Sequence, residues 1–195
     1  MAIEDGICWN LRYLDEPRDS FELPRSLLLD YANIIPTQGL ALDIAMGLGG
    51  NANYLLQHGL QVIGVDISSV AVSKAKSKLP SLMAVVADLE HFYIPRNTFD
   101  LITDFLYLQR DLWIPMTQGL KLGGVLMIEC LTEEMLTIHK EINPTFLLKP
   151  DELKQAFLNG EIGKSLEIVF YYEGWQSTVK SHSRAIASLI ARRIA

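Results

Sequence analysis

The chain has 195 residues, 49% of them apolar, and a formal charge of −6. That length and apolar share are enough to bury a substantial core, and the reading is one globular domain over residues 1–195. The acidic balance, with no basic run or basic-aromatic stripe, disfavours a phosphate backbone as partner and favours a small molecule. No apolar run nears the roughly 18 residues of a membrane span, and "MAIEDGICWNLRYLDEPRDS" has neither the basic start nor the apolar stretch of a secretion signal. A cytoplasmic, soluble chain with no membrane partner is expected. Cys8 and Cys130 lack metal-ligand spacing, and Cys130 inside "GVLMIECL" reads as a buried thiol, so neither a disulfide nor a metal is expected.

In chain order, Trp9 and Tyr13 lie one helical turn apart on one helix face, either as cover for a ligand or as plain packing on the core. "SFELPRSLLLDYANIIP" then places Leu23, Leu27, Leu28, Tyr31, Ile34 and Ile35 at helical spacing, and Pro36 stops that helix. From there the pattern alternates: strand 40–45, helix from about 50 to 58, strand 61–66, helix 69–79, strand 82–87. Strand 99–104, a helix near 110–121 and the strongly apolar strand 124–131 follow. Apolar strands separated by amphipathic helices predict a doubly wound α/β sheet, mostly parallel and covered on both faces, with right-handed crossovers. Pro150, Asp151 and Glu152 suit a helix start. "LEIVFYYEG" and "RAIASLIARRI" are strand candidates that pair as an antiparallel edge, with helix as the alternative for 185–194.

In an open α/β sheet the ligand sits beyond the carboxyl ends of the strands, where the strand order reverses. "ALDIAMGLGGNANYLLQHG" puts Gly47, Gly49 and Gly50 there, followed by a helix start with free N–H groups. Gly47-x-Gly49-x-x-Ala52 also satisfies the dinucleotide fingerprint. Asp66, ending the second strand, accepts ribose hydroxyl protons from either a nicotinamide or an adenosyl ligand. Its plainer role is an acid at a helix N-terminus ahead of Ser68 and Ser69. Asp43 lies inside the first strand, where a carboxylate is costly without a partner. A ligand ammonium or an N–H of the glycine turn would supply one. Asp88 ends the third strand, placed to accept from an adenine amine, with Leu89 beside it to cover the ring.

The series "LDIAMGLGG", "VIGVD", "VVADLEHFYIPRNTFDLI" and "GLKLGGVLMIE" resembles the ordered motifs of the class I S-adenosylmethionine-dependent methyltransferases over about residues 39–131. The resemblance implies a Rossmann-like seven-stranded sheet of order 3-2-1-4-5-7-6 whose last strand is antiparallel, which makes "RAIASLIARR" that strand. "CWNLRY", "FLLKPDEL", "YYEG" and "ASLIARR" are similar to stretches of the tellurite-resistance branch. One departure is Ala45, where the family usually has glycine.

The family's roles carry over as follows. S-adenosylmethionine is the cofactor and S-adenosylhomocysteine the product. Asp43 and the turn Ala45–Gly49, with Ala45, Gly47 and Gly49 in contact, cradle the methionine end; Asp66 holds the ribose; Asp88 and Leu89 hold the adenine, against which Ile67 packs. Asp104, Phe105 and Leu106 border the amino-acid part and the methyl. Residues 1–36 form a helical cover over this site, with Trp9 and Asn10 towards it. Arg12, Tyr13, Asp104 and Arg110 are the substrate-side candidates, the two arginines steering an anionic or thiolate acceptor or else standing as solvated surface residues. His91 and His139 read as ordinary loop histidines, and no catalytic residue is assigned.

The expected reaction is methyl transfer to a small acceptor such as a thiol or metalloid oxyanion. "TDFLYL" lacks the Asn- or Asp-Pro-Pro-aromatic signature of the enzymes that methylate DNA amines. The alternatives are a catalytically silent S-adenosylmethionine-binding sensor or partner module and, less favoured, an NAD(P)-binding oxidoreductase, which needs a further catalytic domain beyond residue 131.

Overall fold

The computed structural model describes residues 2–15, 23–158, 162–177 and 183–195. Seven strands form one sheet: β1 Leu40–Ile44, β2 Gln61–Asp66, β3 Met83–Val86, β4 Phe99–Phe105, β5 Leu120–Leu131, β6 Leu166–Ser177 and β7 Ser183–Arg193. Their order is β3-β2-β1-β4-β5-β7-β6, the order implied by the family resemblance. β1 with β2 and β2 with β3 run parallel, while β7 is antiparallel to both β5 and β6. The helices are α1 Ala2–Asp15, α2 Ser26–Asp30, α3 Gly50–Gln57, α4 Ser69–Lys78, α5 Trp113–Gly119 and α6 Glu152–Leu158.

The chain divides into two compact units, Met1–Ile94 with Thr98–Thr103, and Pro95–Asn97 with Asp104–Ala195. In the first, the apolar run of β1 buries Ala41, Leu42 and Ile44, and β2 buries Val62 and Val65. α3 turns Ala52 and Leu55 inward, and α4 turns Ala71, Val72 and Ala75 inward. Each buried leucine or isoleucine contributes about 1.5–3 kcal/mol of transfer free energy. In the second unit, Val125, Leu126, Met127 and Ile128 of β5 are buried with Ala185–Ala187 and Leu189–Ala191 of β7. The seam between these strands is antiparallel, from Val125↔Arg192 to Leu131↔Ile186. That ladder settles residues 185–194 as strand through Arg193, overriding the helix propensity of Ala, Leu and Arg.

Three boundaries differ from the sequence reading. The helix expected before Pro36 is split into α2 and a 3-10 turn at Ala32–Ile34, because Pro24 bars Leu23 from helical backbone and Tyr31 breaks the run at φ −115; its expected start at 20–22 lies outside the described residues. The helix near 110–121 is a 3-10 turn at Arg110–Leu112 followed by α5, and it ends at Gly119. β5 begins at Leu120, so "LKLGG" is already strand, with Gly123 at φ 81. Among the described residues, no helix is long and apolar enough to cross a membrane.

Candidate functional site

The turn after β1 and the end of β2 meet in the first unit. Gly47 donates its backbone N–H to Asp66 Oδ2 at 2.8 Å, and Ser68 donates its backbone N–H to Asp66 Oδ1 at 2.8 Å. Asp66 therefore braces the glycine turn and fixes the entry to α4, the plainer of the two roles offered for it. Its carboxylate is 5% exposed; burial pushes its pKa up while the Ser68, Gly47 and Ile67 amides pull it back. The turn is tight: Ala45, Gly47 and Gly49 all have positive φ, at 49, 55 and 82. Gly47 has no strain there and, lacking a Cβ, lets the Tyr13 hydroxyl approach closely, whereas Ala45 carries the steric cost of a Cβ in left-handed backbone.

Asp43, two residues before the turn, is fully buried, and Thr103 on β4 donates its hydroxyl to Asp43 Oδ1 at 2.8 Å. Asp43 Oδ2 is buried with no hydrogen-bond partner among the described residues. Burial pushes this carboxyl up to about 7, with the Thr103 hydroxyl and the Ala52 amide opposing and the nearby Asp66 charge adding to it. The sequence reading did not find Thr103. Its signal was a hydroxyl inside the apolar run "FDLITDF".

α1 is fastened over the carboxyl ends of β1 and β2. Asn10 Oδ1 accepts from Ser68 Oγ at 2.7 Å and from the Val70 backbone N–H at 3.1 Å, occupying the first turn of α4. Lys74 Nζ donates to the Tyr13 carbonyl at 2.6 Å, which ties down the last turn of α1. A Cβ on Gly6 would sit 3.7 Å from Ile67 Cγ1, and one on Gly47 would sit 2.8 Å from the Tyr13 hydroxyl. Tyr13 is buried, and desolvation followed by the Asp66 charge pushes its pKa up. Trp9 and Tyr13 do share a helix face, stacked at 5.8 Å between centroids, and Arg12 lies over the Trp9 ring at 5.0 Å.

The other named residues are placed as follows. Asp88 Oδ1 accepts the Glu90 backbone N–H at 3.0 Å, and Asp88 Oδ2 lies 3.1 Å from His91 Nδ1. His139 Nδ1 is 3.0 Å from Glu141 Oε1, and both histidines are solvent-exposed. Leu89 is buried, and Ile67 is half-buried. In the second unit Asp104 and Phe105 are buried, and Leu106 adopts φ 61. Arg110 is not a loose surface arginine: its Nε donates to Glu152 Oε1 at 2.5 Å and its Nη2 to Glu152 Oε2 at 2.9 Å. Nη1 and Nη2 reach the Thr145 and Leu147 carbonyls as well. This pairing raises the Arg110 pKa and lowers that of Glu152. Cys130 is buried and donates its thiol to the Tyr107 carbonyl at 3.1 Å.

Residues 41–120 match a family model described as a methyltransferase domain. An uncharacterised methyltransferase of Alkaliphilus oremlandii is 39% identical over 72 residues, 36% of this chain, which spans about a third (32%) of that relative's length. TehB from Haemophilus influenzae superposes with a TM-score of 0.70 at 20% identity, over 87% of this chain and 62% of that one. A structure concerning the conversion of a disulfide bond into a thioacetal group during echinomycin biosynthesis superposes with a TM-score of 0.70 at 20% identity, covering 97% and 93%. At such identities these two superpositions show the fold. Residues 41–120 are thus similar to a methyltransferase domain, and the seven-strand order is that of the Rossmann-like methyltransferase fold.

Proposed function

We propose that this chain transfers a methyl group from S-adenosylmethionine to a small-molecule acceptor. The observation that carries the reading is the junction of Gly47 and Asp66, with a buried Asp43 two residues before the turn. Asp43 Oδ2 has no hydrogen-bond partner among the described residues, which suits the ammonium of an amino-acid ligand. The residues present thus fit the group. In this reading Ala45, Gly47 and Gly49 cradle its amino-acid end, Asp66 takes the ribose hydroxyls, and Asp88, Leu89 and Ile67 surround the adenine. Asp104 and Phe105 border the reactive end.

The bound cofactor supplies a sulfonium whose methyl is open to in-line attack. What the chain adds is orientation and exclusion of water. α1 serves as the cover: Tyr13 stands over Gly47, and Trp9 stacks on it. Arg12 and Arg110 belong to the acceptor side, Arg110 by holding the segment around Thr145 and Leu147. The formal charge of −6 supports a small acceptor over nucleic acid. A cytoplasmic setting suits the two free thiols, exposed Cys8 and buried Cys130.

Calorimetry with S-adenosylmethionine and transfer of labelled methyl to thiols, metalloid oxyanions, amines and carboxylates test the reading. Binding with transfer to one class supports it. Binding with transfer to none favours a sensor, and absence of binding overturns both.

A further inference from the structure

α1 buries little of itself. Among its described side chains from Glu4 to Leu14, Tyr13 alone is buried, while Ile7, Leu11 and Leu14, which share one stripe of the helix, are 55%, 55% and 59% exposed. An element with so little apolar burial opens at a lower free energy than the core around it. What fastens it is a short set of polar contacts, most of them made by one residue.

Asn10 Oδ1 accepts from Ser68 Oγ at 2.7 Å and from the Val70 backbone N–H at 3.1 Å, with Ser69 Oγ at 3.4 Å. Ser68 is itself the N-cap of α4, and its hydroxyl oxygen accepts the Ala71 N–H at 3.1 Å. Two free N–H groups in the first turn of α4 are thus satisfied, one by its own cap and one by a residue of another helix. Ser68 also donates its backbone N–H to Asp66 Oδ1, and Asp66 Oδ2 accepts the Gly47 N–H. Gly47 lies under the Tyr13 hydroxyl, which is 2.8 Å from where its Cβ would stand. The contacts close a ring, from Asn10 through Ser68, Asp66 and Gly47 to Tyr13, and back along less than one turn of α1. Every member lies within the first unit.

We propose that Asn10 is a positioning residue for the cofactor: its side-chain carbonyl latches α1 to the start of α4, which sets Tyr13 over the glycine turn, and S-adenosylmethionine enters and leaves that turn only when the latch opens. The inference rests on the methyltransferase reading above and adds to it the residue that times exchange. The reason is geometric. A ligand lying on Gly47 and Asp66 has Tyr13 in its way until the last turn of α1 lifts, and Asn10, three residues earlier on the same helix, moves with it. Lys74 Nζ on the Tyr13 carbonyl at 2.6 Å is a second tie, but its flexible four-carbon stem can follow the helix as it moves. Asn10 is bound to the cap and backbone of α4, which cannot follow.

The test uses the full chain and S-adenosylhomocysteine. Labelled ligand is bound and then chased with excess unlabelled ligand, and hydrogen exchange of the backbone amides is followed on separate samples without ligand. Asn10→Ala should speed dissociation about fivefold or more, the factor expected from losing hydrogen bonds of this kind. Asn10→Asp, which keeps the acceptor, should restore the native rate. Asn10→Ala should also speed exchange of the Gly47 amide, which Asn10 does not touch, more than that of the ladder amides of β2. Unchanged dissociation in Asn10→Ala, or an Asn10→Asp variant that releases ligand as fast as the alanine one, overturns the latch. So does equal acceleration at Gly47 and in β2, because general destabilisation then accounts for the effect. The two readings fail separately. If the native chain binds S-adenosylhomocysteine and the variants miss these outcomes, the latch alone falls; if the native chain does not bind it, the methyltransferase reading falls and takes the latch with it.

Discussion

The Gly47 N–H and the Asp66 carboxylate share one hydrogen bond of 2.8 Å, so the turn after β1 and the carboxyl end of β2 are a single structural joint. Asp66 also accepts from the Ser68 backbone, which fastens α4 to the same joint. The residue proposed to hold the ribose is thus also the residue that shapes the turn beside it.

Replacing Asp66 by Asn keeps the size and one acceptor but removes the charge. S-adenosylmethionine affinity should fall about tenfold or more, since charge-assisted hydrogen bonds exceed neutral ones by that order. Asp66→Ala should in addition destabilise the fold by about 1–3 kcal/mol, because the Gly47 and Ser68 N–H groups lose a buried acceptor. Calorimetry and thermal unfolding read the two effects separately. Unchanged affinity in both variants would remove Asp66 from the site.

A Cβ at Gly47 meets the Tyr13 hydroxyl at 2.8 Å and must also take φ 55. Gly47→Ala should cost about 1–3 kcal/mol from steric overlap and backbone strain together. In a Tyr13→Phe background the overlap is gone and only the backbone part remains. The cost measured by denaturant unfolding should therefore be smaller there; equal costs would show that Tyr13 does not stand over the turn.

Ala45 at φ 49 is strained where glycine would not be. Ala45→Gly should raise stability by about 0.5–1 kcal/mol, the left-handed penalty relieved less the extra entropy of an unfolded glycine. Affinity for S-adenosylmethionine should be retained. A lower melting temperature would mean that the alanine methyl makes compensating contacts.

Asp43 carries a pH signature. Burial lifts its pKa to about 7, so the folded chain keeps a proton that the unfolded chain releases near its ordinary value of 3.8. Between those values the unfolded state binds fewer protons, and stability from this group falls as pH rises, being highest below the unfolded value. The effect is on the order of a few kcal/mol. Asp43→Asn should flatten unfolding free energy across that window. If Asp43 receives the ligand ammonium, affinity for S-adenosylmethionine should rise over the same window in the native chain and not in Asp43→Asn.

The strands β1, β2, β4 and β5 were legible because each is a short apolar run bounded by turn residues, and burial on both faces leaves little choice of composition. Residues 185–194 were not decided locally, since Ala, Leu and Arg favour helix; pairing with β5 and β6 decides them. The same division runs through the site. Asp43, Gly47 and Asp66 stand out because a carboxylate or a glycine at a strand end is conspicuous against apolar neighbours. Their partners do not: Thr103 lies 60 residues from Asp43, and Asn10 lies 58 residues from Ser68.

By itself the sequence determined the alternation of strands and helices, the place of the glycine turn and the two acidic residues that flank it, because hydrophobic period and backbone sterics act over a few neighbours. Only the tertiary structure decided that Tyr13 covers Gly47, that Asp43 Oδ2 has no hydrogen-bond partner among the described residues, and that Arg110 pairs with Glu152. Those facts depend on contacts between residues far apart in the chain, and no local preference encodes which distant donor reaches which acceptor.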